Sequence, residues 1–66
     1  MNFCIRLKSI RQESKLTQKD VCTYLKCSLN AYASYEQGRT EPSIEMLRKL
    51  SDILKISLDD LINGTI

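Results

Sequence analysis

The sequence predicts an all-α fold of five short helices, and three observations carry that prediction. Apolar residues recur three or four apart in five separate segments, no segment alternates with period two, and Ser or Thr stands at the head of four of the five. A chain of 66 residues has room for one domain, residues 1–66, which by surface scaling buries about 60% of the area its unfolded form exposes. With 42% hydrophobic residues and charges of both signs, it is too apolar for disorder.

Phe3, Leu7 and Ile10, with Ile5 less regularly spaced, set a first helix over residues 2 to 14, which Leu16 closes. Thr17 caps a second helix, where "TQKD" places Asp20 at the third position of a capping box. Val21, Cys22 and Leu25 form its buried stripe, and it ends near Lys26. Ser28 caps a third helix with Tyr32 and Tyr35 as its buried pair, running to Gln37 and stopping at Gly38. After the "GRTEPS" loop, Ser43 caps a fourth helix whose stripe is Ile44, Leu47, Leu50, Ile53 and Leu54. "SLDD" is a second capping box and opens a last helix with Leu58, Leu61 and Ile62, ended by Asn63 and Gly64. Only about three residues separate the stripe of helix two from the first turn of helix three, so the two must cross steeply.

The net charge of +2 conceals an asymmetry. Residues 1–26 carry six Lys and Arg against Glu13 and Asp20, a balance of +4, whereas residues 27–66 carry four against six, a balance of −2. Such a basic half points weakly to a polyanion and is otherwise an ordinary solvated surface. Arg6, Lys8 and Arg11 interrupt the run a signal peptide would need, and nothing approaches a membrane span, so a cytoplasmic location and no membrane partner are expected. Cys4, Cys22 and Cys27 include no C-x-x-C pair and the chain has no His, which favours small buried residues over a metal or redox site. Without a Ser/Lys or paired-carboxylate constellation, no enzyme is expected, nor any cofactor or small-molecule ligand.

Between Lys26 and Glu36 no charged residue appears, yet the stretch is rich in Asn and Ser. At about 100° per residue, Asn30, Ala33, Ser34 and Gln37 fall opposite Tyr32, with Leu29 on the flank. A solvated face would carry Glu and Lys. This one suits the major groove, where amides pair with base edges and small apolar groups pack on thymine methyls. Ser28 is followed by no acid at its third position, which leaves the positive end of the helix dipole open to a phosphate.

"LTQKDVCTYLKCSLNAYASYEQGRTEPS" resembles the helix-turn-helix of phage-repressor/Cro-like (XRE) DNA-binding regulators, a likeness that runs from Leu7 to Ile62. The markers are "LTQ", "YEQGR", "EPS" and "ISLDDLI", specific together and weak singly. The resemblance implies a sequence-specific regulator of double-stranded DNA, a repressor that reads the major groove with helix three as a homodimer. The alternative is an antitoxin-type protein-interaction module with secondary DNA binding. Carried over by position, Leu29, Asn30, Ala33 and Ser34 would meet bases. Gln18, Lys19, Ser28, Gln37, Arg39 and Thr40 would meet the DNA backbone, Gln18 also bracing helix three. Arg11 and Glu36 would form a structural ion pair, and Leu58, Ile62 and Ile66 the dimer contact. The chain departs from the family at Lys15, Lys26 and Lys55, where a left-handed residue, often Gly, is expected; lysine there would cost about 1 kcal/mol each.

Overall fold

The computed structural model describes residues 3–63 and consists of α1 (Phe3–Glu13), α2 (Gln18–Leu25), α3 (Leu29–Gln37), α4 (Ile44–Leu54) and α5 (Leu58–Asn63). Among the described residues there is no strand. No helix among them is long and apolar enough to cross a membrane. Gly64, expected to help end the last helix, and Ile66, an expected dimer contact, lie outside the described residues.

Helices α2 to α5 each start where a cap satisfies an orphan amide. The Thr17 hydroxyl accepts from the Asp20 amide at 3.0 Å while the Asp20 carboxylate accepts from the Thr17 amide at 2.8 Å, closing the reciprocal box. The Ser28, Ser43 and Ser57 hydroxyls accept from the amides of Ala31, Met46 and Asp60. The ends are equally regular. Lys15, Lys26, Gly38 and Lys55 have φ of 60°, 59°, 77° and 57°. In each case the next residue's amide reaches back five residues: Leu16 to Arg11, Cys27 to Cys22, Arg39 to Ser34 and Ile56 to Ser51. The three lysines thus keep the left-handed geometry.

Leu7, Val21, Cys22, Leu25, Tyr32, Leu50, Leu54 and Leu61 make one core. α3 packs against α1 and α2, α4 against α2 and α5, and α1 closes on α5. Three expected core positions turn out otherwise. Ile44 is 68% exposed, because it lies about 120° around α4 from Leu50, and Met46 packs inward in its place. Ile5 is 56% exposed, nearly opposite Leu7 on α1. Tyr35 is half-buried, its ring edge-on to Tyr32 with centroids 6.2 Å apart. Ile62, expected to face partly outward as a dimer contact, is 46% exposed. Leu58 packs partly against the core, so of the two described candidates for a dimer contact Ile62 is the outward one.

Candidate nucleic-acid interface

The geometry of α3 is set from behind by one carboxylate. Glu36 accepts from Arg11 Nε at 2.5 Å, Arg11 Nη2 at 3.3 Å, Gln18 Nε2 at 3.0 Å and the Tyr32 hydroxyl at 2.5 Å. Arg11 also donates from Nη1 to the Leu16 carbonyl at 2.7 Å. One buried group therefore ties α1, the turn after it, the first residue of α2 and two turns of α3. A buried charge is tolerable only when so fully paired.

Burial alone would push the Glu36 carboxyl up, but the hydrogen bonds from Arg11, Tyr32 and Gln18 outweigh it and hold the group below the usual carboxylate range. Hydrogen bonding to Glu36 raises the Arg11 guanidinium. Burial, reinforced by Glu36, pushes the Tyr32 phenol up. The network is thus ionised as Arg⁺, Glu⁻ and neutral Tyr at neutral pH.

With Tyr32 and Glu36 turned inward, the opposite arc of α3 is what remains for a partner. Leu29, Asn30 and Gln37 are exposed, and Ala33 and Ser34 are half-buried. The Ser34 hydroxyl donates to the Asn30 carbonyl at 3.0 Å. At the N-terminal end stand Ser28 and, beside the turn, Lys26, both exposed; Lys19 on α2 is exposed and Gln18 half-buried. At the C-terminal end Arg39 and Thr40 are exposed, with the Arg39 backbone anchored to the Ser34 carbonyl at 3.0 Å. α3 carries no acidic residue in its first turn.

Three contributors escape a reading of the sequence by residue class. Tyr32 reads as plain core, yet its hydroxyl is a member of the Glu36 network; the signal was the i,i+4 spacing of the two. The Ser34 bond to Asn30 has the same spacing in reverse. The Leu16 carbonyl, as a backbone group, leaves no signal in the sequence at all.

Comparison with known proteins places this arrangement. A helix-turn-helix family model matches residues 7–61. Over 64 residues the chain is 38% identical to the HTH-type transcriptional regulator DdrOP3 of Deinococcus deserti, covering 97% of this chain and 50% of that protein. Over 62 residues it is 40% identical to the uncharacterized HTH-type transcriptional regulator YqaE of Bacillus subtilis, covering 94% and 53%. It is 38% identical over 56 residues to the cryptic phage CTXphi transcriptional repressor RstR of Vibrio cholerae, covering 85% and 50%. The chain spans about half the length of these curated relatives. With five helices in this order and a family match over most of its length, the chain belongs to the XRE-type, phage-repressor-like helix-turn-helix family.

Proposed function

We propose that this chain is a sequence-specific binder of double-stranded DNA that regulates transcription, with residues 1–66 acting as one domain and α3 lying in the major groove. The observation that supports it best is the contrast across α3: a charge-free, amide- and hydroxyl-bearing outer arc backed by the Glu36 network, which fixes its orientation. Leu29, Asn30, Ala33 and Ser34 meet bases, and Gln18, Lys19, Ser28, Gln37, Arg39 and Thr40 meet phosphates. Gln18 has a double role, since its amide nitrogen holds Glu36 while the side chain stands at the rim. The sign of regulation is repression, which asks only that a bound protein occlude a promoter. The place of action is the cytoplasm.

One copy makes few phosphate contacts, so two copies act on half-sites about 34 Å apart. The contact between them is the end of α5 through Ile62, with Leu58 beside it. Such a surface falls short of the roughly 1,000 Å² of a stable interface, and DNA drives the pairing.

A titration of duplexes against salt tests the reading. The log–log slope should be about −0.9 per phosphate neutralised, with a sequence preference that persists at fixed salt. Asn30→Ala should cost about 1–3 kcal/mol on the preferred site and relax preference there, while Gln18→Ala weakens all duplexes alike. Loss of affinity in both without any change of preference would remove α3 as the reader. Ile62→Asp with intact operator affinity would move the dimer contact elsewhere.

A further inference from the structure

We propose that α3 specifies a half-site built from A·T pairs, taking adenine amino groups on Asn30 and Ser34 and thymine methyls on Leu29 and Ala33. This rests on the reading of α3 as the helix that enters the groove.

The first ground is what Ser34 has left to offer. Its hydroxyl proton is directed to the Asn30 carbonyl at 3.0 Å, so toward the groove it presents lone pairs only. In the major groove the donors are the adenine N6 and cytosine N4 amino groups. Guanine O6 and N7 and thymine O4 are acceptors and find no proton there. The second ground is the absence of any cation from residue 27 to residue 38. A guanine shows two acceptors side by side, best met by the paired donors of Arg or a Lys ammonium, and here Lys26 and Arg39 stand only at the two ends of the helix, in reach of phosphates.

The third ground is the pairing of an amide with methyl-bearing neighbours. Asn30 is exposed one turn from Ser34, and an Asn amide both donates and accepts, matching adenine N7 and N6 together. Leu29, 47% exposed, and Ala33 lie on the same side one turn apart. Apolar groups that border an amide in this way gain from a thymine 5-methyl and gain nothing from a cytosine in its place. A cytosine amino group would satisfy Ser34, but the pair would then bring a guanine whose two adjacent acceptors no paired cationic donor of the arc meets.

The test is selection from a random duplex pool with the full chain, followed by titration of the selected duplex with single replacements. A·T pairs should be enriched at the positions beneath α3. Deoxyuridine in place of a selected thymine removes only the 5-methyl and should lower affinity several-fold, and 7-deazaadenine in place of a selected adenine should cost at least about fivefold. Leu29→Ala should shrink the thymine-to-uridine ratio toward one. Enrichment of G·C at those positions, or equal binding of thymine and uridine duplexes, overturns the inference while leaving DNA reading by α3 intact. A chain that binds no duplex above the non-specific level overturns both.

Discussion

Four turns join the five helices, and one of them is built differently from the other three. At Lys15, Lys26 and Lys55 the left-handed residue is a lysine, and the residue after it, Leu16, Cys27 or Ile56, packs against the core. At Gly38 the left-handed residue is glycine, and the residue after it, Arg39, is exposed. The backward amide bond is common to all four, so backbone geometry is not what separates them. Three turns end a helix and drive an apolar anchor inward. The fourth gives up its anchor and holds out a cation at the C-terminal end of α3. The glycine has its own cause, because a Cβ at 38 would come within 3.2 Å of Cys4 Sγ on α1. A lysine there would also have to push the Cys4 side chain aside by a few tenths of an ångström.

The largest expected effect comes from forcing an anchoring turn to resemble the displaying one. Ile56→Arg removes an apolar anchor and should destabilise the fold by about 1.5–3 kcal/mol, read as a lowered midpoint in thermal melting followed by circular dichroism. An unchanged midpoint would mean that the anchor is dispensable and the comparison empty.

Acid should separate the first turn from the others, because its Leu16 carbonyl is held by Arg11 and hence by Glu36. Glu36 has its folded pKa depressed, so its contribution is fully present above its ordinary value of 4.5 and is lost as pH falls through the lower folded value. Denaturant midpoints measured between pH 7 and pH 3 should fall on the acid side, and Glu36→Gln should flatten that fall while lowering the plateau. A wild-type curve that stays level down to pH 3 would contradict the ion pair.

Making the displaying turn resemble the others should leave stability nearly untouched and weaken binding. Arg39→Leu is expected to reduce affinity for all duplexes by a similar factor and to reduce the salt slope by about 1, with a stability change within about 0.5 kcal/mol. A selective loss on one sequence would make Arg39 a base reader instead. Two of the left-handed positions should show stability effects of opposite sign. Gly38→Ala should cost about 1–2 kcal/mol, from its φ and its contact with Cys4. Lys55→Gly should gain about 0.5–1 kcal/mol, the relief of the left-handed Cβ less the extra freedom glycine gives the unfolded chain. Calorimetry that finds the same sign for both would refute the steric reading of Gly38.

How much of this was legible in the sequence follows the range of each interaction. Caps are local, so Thr17 with Asp20, Ser28 and Ser43 announce their helices, whereas the left-handed positions at Lys15, Lys26 and Lys55 are implied only by the family resemblance. The outer arc of α3 could be drawn because Tyr32 alone fixes its phase. Ile44 was misplaced because apolarity at a helix start does not say which side of the axis it falls on. Periodicity puts Tyr35 in a buried pair but cannot show where a core stops, and the residue borders a groove lined by Phe3, Cys4, Pro42, Leu47 and Ile62. The four-way bonding of Glu36 needed the packing of α1 and α2 on α3, which no local pattern contains.

The exposed lysines at three junctions give the fold a built-in set of scissile points. Trypsin cuts after lysine only where the backbone can open into an extended strand, and a left-handed residue tied by a backward amide bond is far from that shape. Cleavage after Lys15, Lys26 and Lys55 therefore times the loosening of each junction, with local opening setting the faster rates and unfolding of the whole chain the slowest. A digest followed by mass spectrometry reads the three junctions side by side in one tube, without labels or added reporter groups.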